Sequence, residues 1–264
     1  MSDADAPPVS LAITAFNEEA RLGKCLNSAS GLVREIVVVD SGSGDRTREI
    51  AQSSGAQVLT QEWLGHSGQK QVALDACNQP WVLILDADET ISSELRDSIL
   101  DFFRSGDAEH FQGCRFNRKV KFLGRWITHG DWYPDTKLRL VKRDQARIGG
   151  NAAHDTVLVT GAIKHLRGDL LHDSYPTIQS YLDKIGPFAD EFANRQSTEG
   201  KRWTLTANLL RPLWRFSRAY FLRLGFLDGF PGFWIAFATS FSVFVRYSRK
   251  FEEEAKQSCT SGEN

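Results

Sequence analysis

The apolar run Trp81–Leu85 (WVLIL) ends in Asp86-Ala87-Asp88-Glu89, and the run Glu35–Val39 (EIVVV) ends in Asp40 followed by SGSGD. Carboxylates in such places can hold a hard divalent cation, and the cation can neutralise a diphosphate. If the Asp86-Ala87-Asp88 triplet stays extended, its alternate side chains point the same way and the two carboxylates converge. Asp40 can accept from a base N–H or a ribose hydroxyl, or close a turn before Ser-Gly. Together the two acidic strand ends read as a metal–nucleotide site.

The elements that must position these groups alternate along the first hundred residues. Val9–Thr14 is a β-rich run. Asn17 is placed to cap a helix whose apolar face is Leu22, Cys25, Leu26 and Ala29. The EIVVV strand is apolar on both faces, as a buried parallel strand must be. Asp45 can cap a helix reaching about Ser54, with Gly55 as its stop. A short strand Gln57–Leu59, a helix over Gln69–Cys77 and the WVLIL strand follow. Ser92 or Ser93 then caps a helix with the face Leu95, Ile99, Phe102 and Phe103. Strictly alternating strands and helices imply a Rossmann-like, mostly parallel sheet with helices on both sides, which binds ligands at the carboxyl ends of its strands. Asp40, Asp86 and Asp88 all lie at such ends.

Composition narrows the classes. With 264 residues, 41% hydrophobic and 25% charged, the chain can bury a real core and is neither disordered, collagen-like nor a multi-span membrane protein. A net charge of −1 excludes a nucleic-acid-binding polycation. No G-x-G-x-x-G or Walker loop occurs, against dehydrogenase and kinase readings. The four cysteines are far apart and lack metal-ligand spacing, consistent with reduced thiols in a cytoplasmic protein. The start, MSDADAPPVS, lacks a signal-peptide pattern, and residues 1–8 read as a flexible tail.

The even charge total hides a split. Residues 1–100 carry 7 basic and 15 acidic side chains, whereas 201–250 carry nine basic and one acidic, Asp228. Fourteen of the 29 aromatics fall between Trp203 and Phe251. Interleaved arginines and bulky apolar residues are the composition of an interfacial helix with snorkelling cations. Gly229–Val245 has seventeen residues without a charge, at the low edge for a span, so it reads as lying in or dipping into a leaflet. A helical subdomain packed on the core, or a dimer element, is the alternative. Residues 252–264 are polar and read as a disordered tail. The segment holding His129, Trp132 and Asp135 mixes charges with aromatics, which suits either a sugar-binding acceptor wall or a packed loop.

The strings ITAFNEEARLGKCL, EIVVVDSGSGDRTREIA, EWLGHSGQKQVALDAC and WVLILDADE resemble the inverting glycosyltransferases of family 2, whose nucleotide-sugar domain has the GT-A fold. GDWYPDTKLRLVKR, NAAHDTV, LLHDSY and LGFLDGFPGFWIAF resemble the lipopolysaccharide-core β-glucosyltransferase branch. The resemblance runs from about Val9 to Tyr247. It implies a GT-A catalytic domain over 9–200, its nucleotide-sugar half at about 9–105 and its acceptor half at about 106–200. A C-terminal helical, membrane-associating extension over 201–251 would follow. It implies a hexose, glucose, moved from a UDP-sugar with Mn²⁺ or Mg²⁺ to a lipid-linked glycan, by a protein peripheral to the cytoplasmic face of the cell membrane. A polyprenyl-linked or other cell-surface glycan is the alternative acceptor.

Carried over residue by residue, the resemblance gives Asp40 the nucleotide base, and Ala15, Asn17 and Glu18 the loop that frames base and ribose. Lys70 matches a basic position near the phosphates. Asp86 and Ala87 belong to the nucleotide site, and Asp88 is the metal ligand, joined by His172. Asp155 is the general base, and His154 beside it faces the acceptor with His129, Trp132 and Asp135. The chain departs from the common pattern at Asp155, where many relatives have Glu, at Gln71 and at Gly44. A nucleotidyltransferase would carry a Gly-rich basic loop where this chain has Ala15-Phe16-Asn17-Glu18-Glu19. A non-catalytic binding module would have no need of the five acid and histidine positions together.

Overall fold

The computed structural model describes residues 6–150, 155–175 and 177–261. They form two compact units, Met1–Arg118 with Asp135–His172, and Lys119–Pro134 with Asp173–Asn264.

The first unit begins with β1 Val9–Ala15, α1 Leu22–Ala29, β2 Glu35–Asp40, α2 Thr47–Ser53, β3 Gln57–Thr60, α3 Gly65–Asp75 and β4 Trp81–Asp86. It continues with β5 Glu89–Ile91, α4 Ser93–Arg104, α5 Asp107–His110 and β6 Gly113–Phe122. Strand β6 runs on into the second unit, which holds β7 Arg125–Trp126. After β7 come β8 Asp135–Lys142, β9 Ala146–Gly150, β10 Asp155–Val159 and β11 Ile163–Tyr175. The sheet order is β3-β2-β1-β4-β8-β6-β11-β5, with β9 and β10 a separate pair. Strands β3, β2, β1 and β4 are parallel, with Ala12 level with Val37 and Ile84. From β4 onward the described pairings turn antiparallel, β4 with β8, β8 with β6 and β11 with β5. The sheet is therefore mixed: the front half is the expected parallel one, and an antiparallel half is added at β4.

The parallel strands bury both faces, as their apolar runs require. Leu11, Ile13, Val38, Leu83 and Leu85 pack on one side with Leu22, Cys25 and Leu26 of α1 and Leu95 and Ile99 of α4. Ala12, Val37, Val39, Val82 and Ile84 pack on the other with Ala73, Leu74 and Cys77. Burial pushes the Cys77 and Cys114 thiols up to about 12, so neither is a thiolate near neutral pH.

Helix boundaries needed tertiary information in two places. Asn17 does not cap α1. It sits in left-handed backbone at φ 54, four residues ahead of Arg21, and α1 starts without a side-chain cap. Helix α3 starts four residues before the expected Gln69, at Gly65. Ser92 does cap α4, accepting from the Leu95 N–H, as the sequence indicates.

In the second unit, α6 Ile178–Leu182 and α7 Ile185–Thr198 precede α8 Leu205–Ser217 and α9 Gly229–Ser261. Between α8 and α9 lie a π-turn, Arg218–Leu222, and a 3-10 turn, Gly225–Asp228. The bend is tight, because a Cβ on Gly232 would stand 1.9 Å from the Gly225 carbonyl oxygen. Phe122, Ile127, Trp132, Ile178, Ile235 and Trp234 form its small core. Helix α9 continues well past Phe251, where composition alone indicated a disordered tail. Among the described residues no single helix is long and apolar enough to cross a membrane. The pair Leu205–Leu222 and Gly225–Lys256, bent by 71°, together has the length and composition of a broken or re-entrant span.

Gly168 on β11 lies against the start of α4 at φ +87, and a Cβ there would come within 2.2 Å of the Leu95 nitrogen. Left-handed strain alone costs a non-glycine residue about 1–3 kcal/mol, and the clash adds to it. Gly168→Ala is therefore expected to lose at least about 2 kcal/mol of stability, read as a lower urea midpoint. An unchanged midpoint would show that β11 does not press on α4.

Candidate active site

The site is built at the carboxyl ends of β1, β2 and β4. The loops after β1 and β2 are tied together by hydrogen bonds. Asn17 N–H donates to Ser43 Oγ at 2.9 Å, and Asn17 Oδ1 accepts from Gly44 N–H at 2.9 Å. Glu18 N–H donates to Thr47 Oγ1 at 2.7 Å. Asn17 adopts its left-handed conformation for this cross-loop pairing, and asparagine tolerates that backbone better than most residues. Asp40 is fully buried, and its carboxylate accepts from the N–H groups of Gly42 and Ser43. It thus closes the turn after β2, to which Asn17 and Glu18 of the loop after β1 are tied.

The Asp86-Ala87-Asp88 triplet does not stay extended. Strand β4 ends at Asp86, the chain turns through Ala87 and Asp88, and β5 begins at Glu89. The two carboxylates take different ion-pair partners, while His172 acts on both. Asp86 is gripped by Lys70 Nζ at 2.6 Å and by Arg139 Nη2 at 2.9 Å. Burial alone would raise its pKa, but Arg139 and Lys70, with His172 beyond them, hold the carboxyl far below its usual range. Arg139 also reaches the buried Glu89 at 3.3 Å, and Arg118 joins Glu89 at 3.5 Å to Asp135 at 2.7 Å. Lys137 completes the chain at Asp135. Charges thus alternate from α3 through β4 and β8 to β6.

Asp88 faces elsewhere. Its Oδ2 lies 3.1 Å from His172 Nε2 and 3.8 Å from Arg21. The pairing of His172 with Glu89 across β11 and β5 brings the histidine to this turn. Among the described residues no group of three His, Cys, Asp or Glu side chains surrounds a metal position. Two donors suffice for a cation that also takes diphosphate oxygens and water. His172 Nε2 and Asp88 Oδ2 are within hydrogen-bond distance of each other, which keeps both donors at one place. His172 Nδ1 is buried with no hydrogen-bond partner. Nearby, burial and the Asp88, Asp45 and Asp86 carboxylates raise the Glu18 pKa despite Arg21.

A cavity of about 710 Å³ opens beside Asp86, lined by Arg115, Arg118, Lys137, Arg139, Thr156 and Val157 among others. Asp155 heads β10 directly before Thr156 and Val157, so its backbone adjoins the cavity wall. Of Asp155 the backbone alone is described, and His154 lies outside the described residues. Asp135 belongs to the charge chain of this unit. His129 and Trp132 belong to the second unit, where His129 pairs with Asp228 and Trp132 meets Phe122 edge to face and Tyr181 at a tilt.

Sequence reasoning missed Arg139, Arg118, Glu89 and Arg21. Glu89 stood in the acidic cluster without a role. Arg139 had a signal: in Asp135–Lys142 (DTKLRLVK) the alternation puts Lys137 and Arg139 on one face and Leu138 and Leu140 on the other. Arg21 had none.

Because the folded-state pKa of Asp86 is depressed, its pairing stabilises the protein above the unfolded carboxyl value of about 4. That contribution is lost as pH falls through the lower folded value. Lys70→Met is expected to cost about 3 kcal/mol at pH 7, with the deficit against wild type shrinking below about pH 4. Urea titrations at several pH values check this, and a pH-independent deficit would mean that Lys70 acts by packing.

Residues 10–166 match Glycosyl transferase family 2. The uncharacterized glycosyltransferase RT0209 of Rickettsia typhi is 30% identical over 94% of this chain and 88% of that one. The lipopolysaccharide core biosynthesis glycosyltransferase LpsC of Rhizobium meliloti is 31% identical over 92% of this chain and 94% of its own. The crystal structure of S. aureus TarS 1-349 in complex with UDP is 14% identical, covers 95% of this chain and 91% of that one, and superposes with a TM-score of 0.46. With a family match over more than half its length and a relative aligned nearly end to end, this chain belongs to glycosyltransferase family 2 and carries its GT-A fold.

Proposed function

We propose that the chain moves a hexose, glucose, from a UDP-sugar to a lipid-linked glycan of the lipopolysaccharide-core type, with inversion, as a peripheral protein on the cytoplasmic face of the membrane. The observation that carries the reading is the grouping of half-buried Asp86 with buried Lys70 and Arg139 beside the Asp88–His172 pair, next to a cavity with a cationic lining. Fixed cations around one carboxylate suit a sugar diphosphate, whose leaving oxygen gains charge in the transition state. The likeness to LpsC supports the acceptor class.

In this reading the loops at Asn17–Glu18 and Ser41–Gly44 hold the base and ribose, with Asp40 setting the shape of their turn. Lys70 and Arg139 orient Asp86 toward the donor. Asp88 and His172 would hold Mn²⁺ or Mg²⁺, which supplies Lewis-acid stabilisation of the diphosphate when bound. The acceptor hydroxyl attacks the anomeric carbon from the face opposite the diphosphate. Its proton passes to the Asp155 carboxylate as the new C–O bond forms, and the bond to the diphosphate oxygen breaks. Arg115, Arg118 and Lys137 line the cavity that would receive the acceptor.

Thermal melting with UDP, GDP, CDP and dTDP, each with and without Mn²⁺, tests the donor. UDP with Mn²⁺ is expected to raise the melting temperature of wild type and not of Asp88→Ala; a different nucleotide preference would change the donor. Asp155→Asn is expected to lower kcat by about 10²–10⁴-fold with UDP binding intact. Turnover near the wild-type rate would remove Asp155 from the role of base.

A further inference from the structure

The second unit holds a charge arrangement that sugar transfer does not use. Asp131 is almost fully buried, and three guanidiniums converge on its carboxylate. Arg215 approaches at 2.5 Å, Arg218 at 2.9 Å and Arg223 at 3.5 Å. One arginine would balance one aspartate, so the cluster carries surplus positive charge. Arg246 adds to it: its charge acts on Arg215, and its buried Nε has no hydrogen-bond partner. Burial and the Arg218 and Arg246 charges hold the Arg215 guanidinium below its usual range, outweighing Asp131. Each of the three arginines at Asp131 keeps between a third and a half of its side chain exposed. The cluster is therefore under repulsive load and open to solvent, a condition that a bound anion relieves.

The surface beside it says what carries the anion. On α9, Phe230, Phe233, Phe237, Phe241 and Phe244 are exposed and recur at helical spacing, one stripe along one face. Leu209, Leu210, Leu213 and Trp214 are exposed on α8, and Phe221, Leu222, Phe226 and Leu227 in the bend between the helices. A monomer rarely leaves so many large apolar side chains in water unless they meet a membrane or a partner. Guanidiniums at the edge of an aromatic and aliphatic face match a bilayer surface, with phosphates at the level of the cations and acyl chains against the rings.

We propose that Arg215, Arg218 and Arg223, held around Asp131 at the bend between α8 and α9, form a site for the phosphate of an anionic phospholipid, with the exposed phenylalanine and leucine face of the same helices seated at the acyl boundary. The proposal rests on the reading of these helices as membrane-associating and adds a defined headgroup site to it. Asp131 acts as the anchor that keeps the guanidiniums together, and the surplus charge is what the lipid phosphate meets.

The test is flotation of the full chain with vesicles of phosphatidylcholine alone and of an equal mixture with phosphatidylglycerol. Wild type is expected to bind both and to prefer the mixture. Arg218→Gln with Arg223→Gln is expected to weaken binding to the mixture by about thirtyfold and leave the phosphatidylcholine baseline intact, on the scale of about 1 kcal/mol per cation. Its melting temperature is expected to fall, since Arg218 donates a hydrogen bond to buried Asp131, whereas Arg223→Gln alone keeps that bond and is expected to melt at the wild-type value. Should the double variant not fold, Arg223→Gln alone is expected to weaken binding about fivefold. Lys201→Gln with Arg202→Gln removes the same charge elsewhere on the unit; an equal loss there would reduce the site to diffuse attraction and overturn it. A lower melting temperature with unchanged vesicle binding would make the arginines purely structural. Equal wild-type binding to both vesicles would sink the headgroup site and leave the membrane reading standing. No binding to either would sink both, and a wild-type dimer in that case would assign the apolar face to a second copy. Stabilisation by inorganic phosphate that depends on Arg218 and Arg223, without vesicle capture, would assign the cluster to a soluble phosphate instead.

Discussion

The first unit turns on one ionic constraint: a carboxylate at the end of β4 gripped by two cations that the chain supplies from distant places. Asp86 meets Lys70 from α3 and Arg139 from β8. β4 is also where the sheet changes from parallel to antiparallel pairing. The ion pairs therefore sit on the seam between the two halves. Burying such charges is unfavourable unless every member is paired, and removing one partner strands the rest. That condition fixes the register of β8 against β4 and, through Glu89 and Arg118, of β6 against β8.

The rest of the site is arranged around that anchor. With Asp86 committed to Lys70 and Arg139, the turn through Ala87 sends Asp88 toward His172. Two neighbouring acids thereby acquire separate partners. One lies in a cationic network, and the other is paired with an imidazole whose remaining nitrogen has no hydrogen-bond partner. The loops after β1 and β2 hydrogen-bond to one another, which holds the frame around Asp40 together.

The second unit follows a different physical logic. Its described interior is small and aromatic, around Phe122, Trp132 and Trp234, and much of its apolar surface faces outward. Two buried aspartates organise it. Asp228 accepts from the Thr128 and His129 backbone N–H groups and fixes the loop to the start of α9. Asp131 gathers arginines from the last turn of α8 and the bend after it. Cations and bulky apolar groups that alternate in the sequence are separated in space, the arginines collected on a carboxylate and the phenylalanines left along one face of α9.

Much of this protein was already legible in its residues. The two-faced burial of β1, β2 and β4, the α1 face of Leu22, Cys25, Leu26 and Ala29, the Ser92 cap and the acidic strand ends all depend on neighbours close in sequence. So did the family, because its motifs are short and contiguous. Tertiary structure alone decided that Asn17 bridges two loops instead of capping a helix, that Asp86 and Asp88 take different ion-pair partners, and that α9 extends through a polar stretch. It alone brought Arg139 to Asp86, Arg118 to Glu89, and Arg215, Arg218 and Arg223 to Asp131. The reason is common to these cases. A side chain's partner far away in the sequence is chosen by strand register and helix crossing, and the energy of a buried charge depends on that partner and not on its neighbours along the chain.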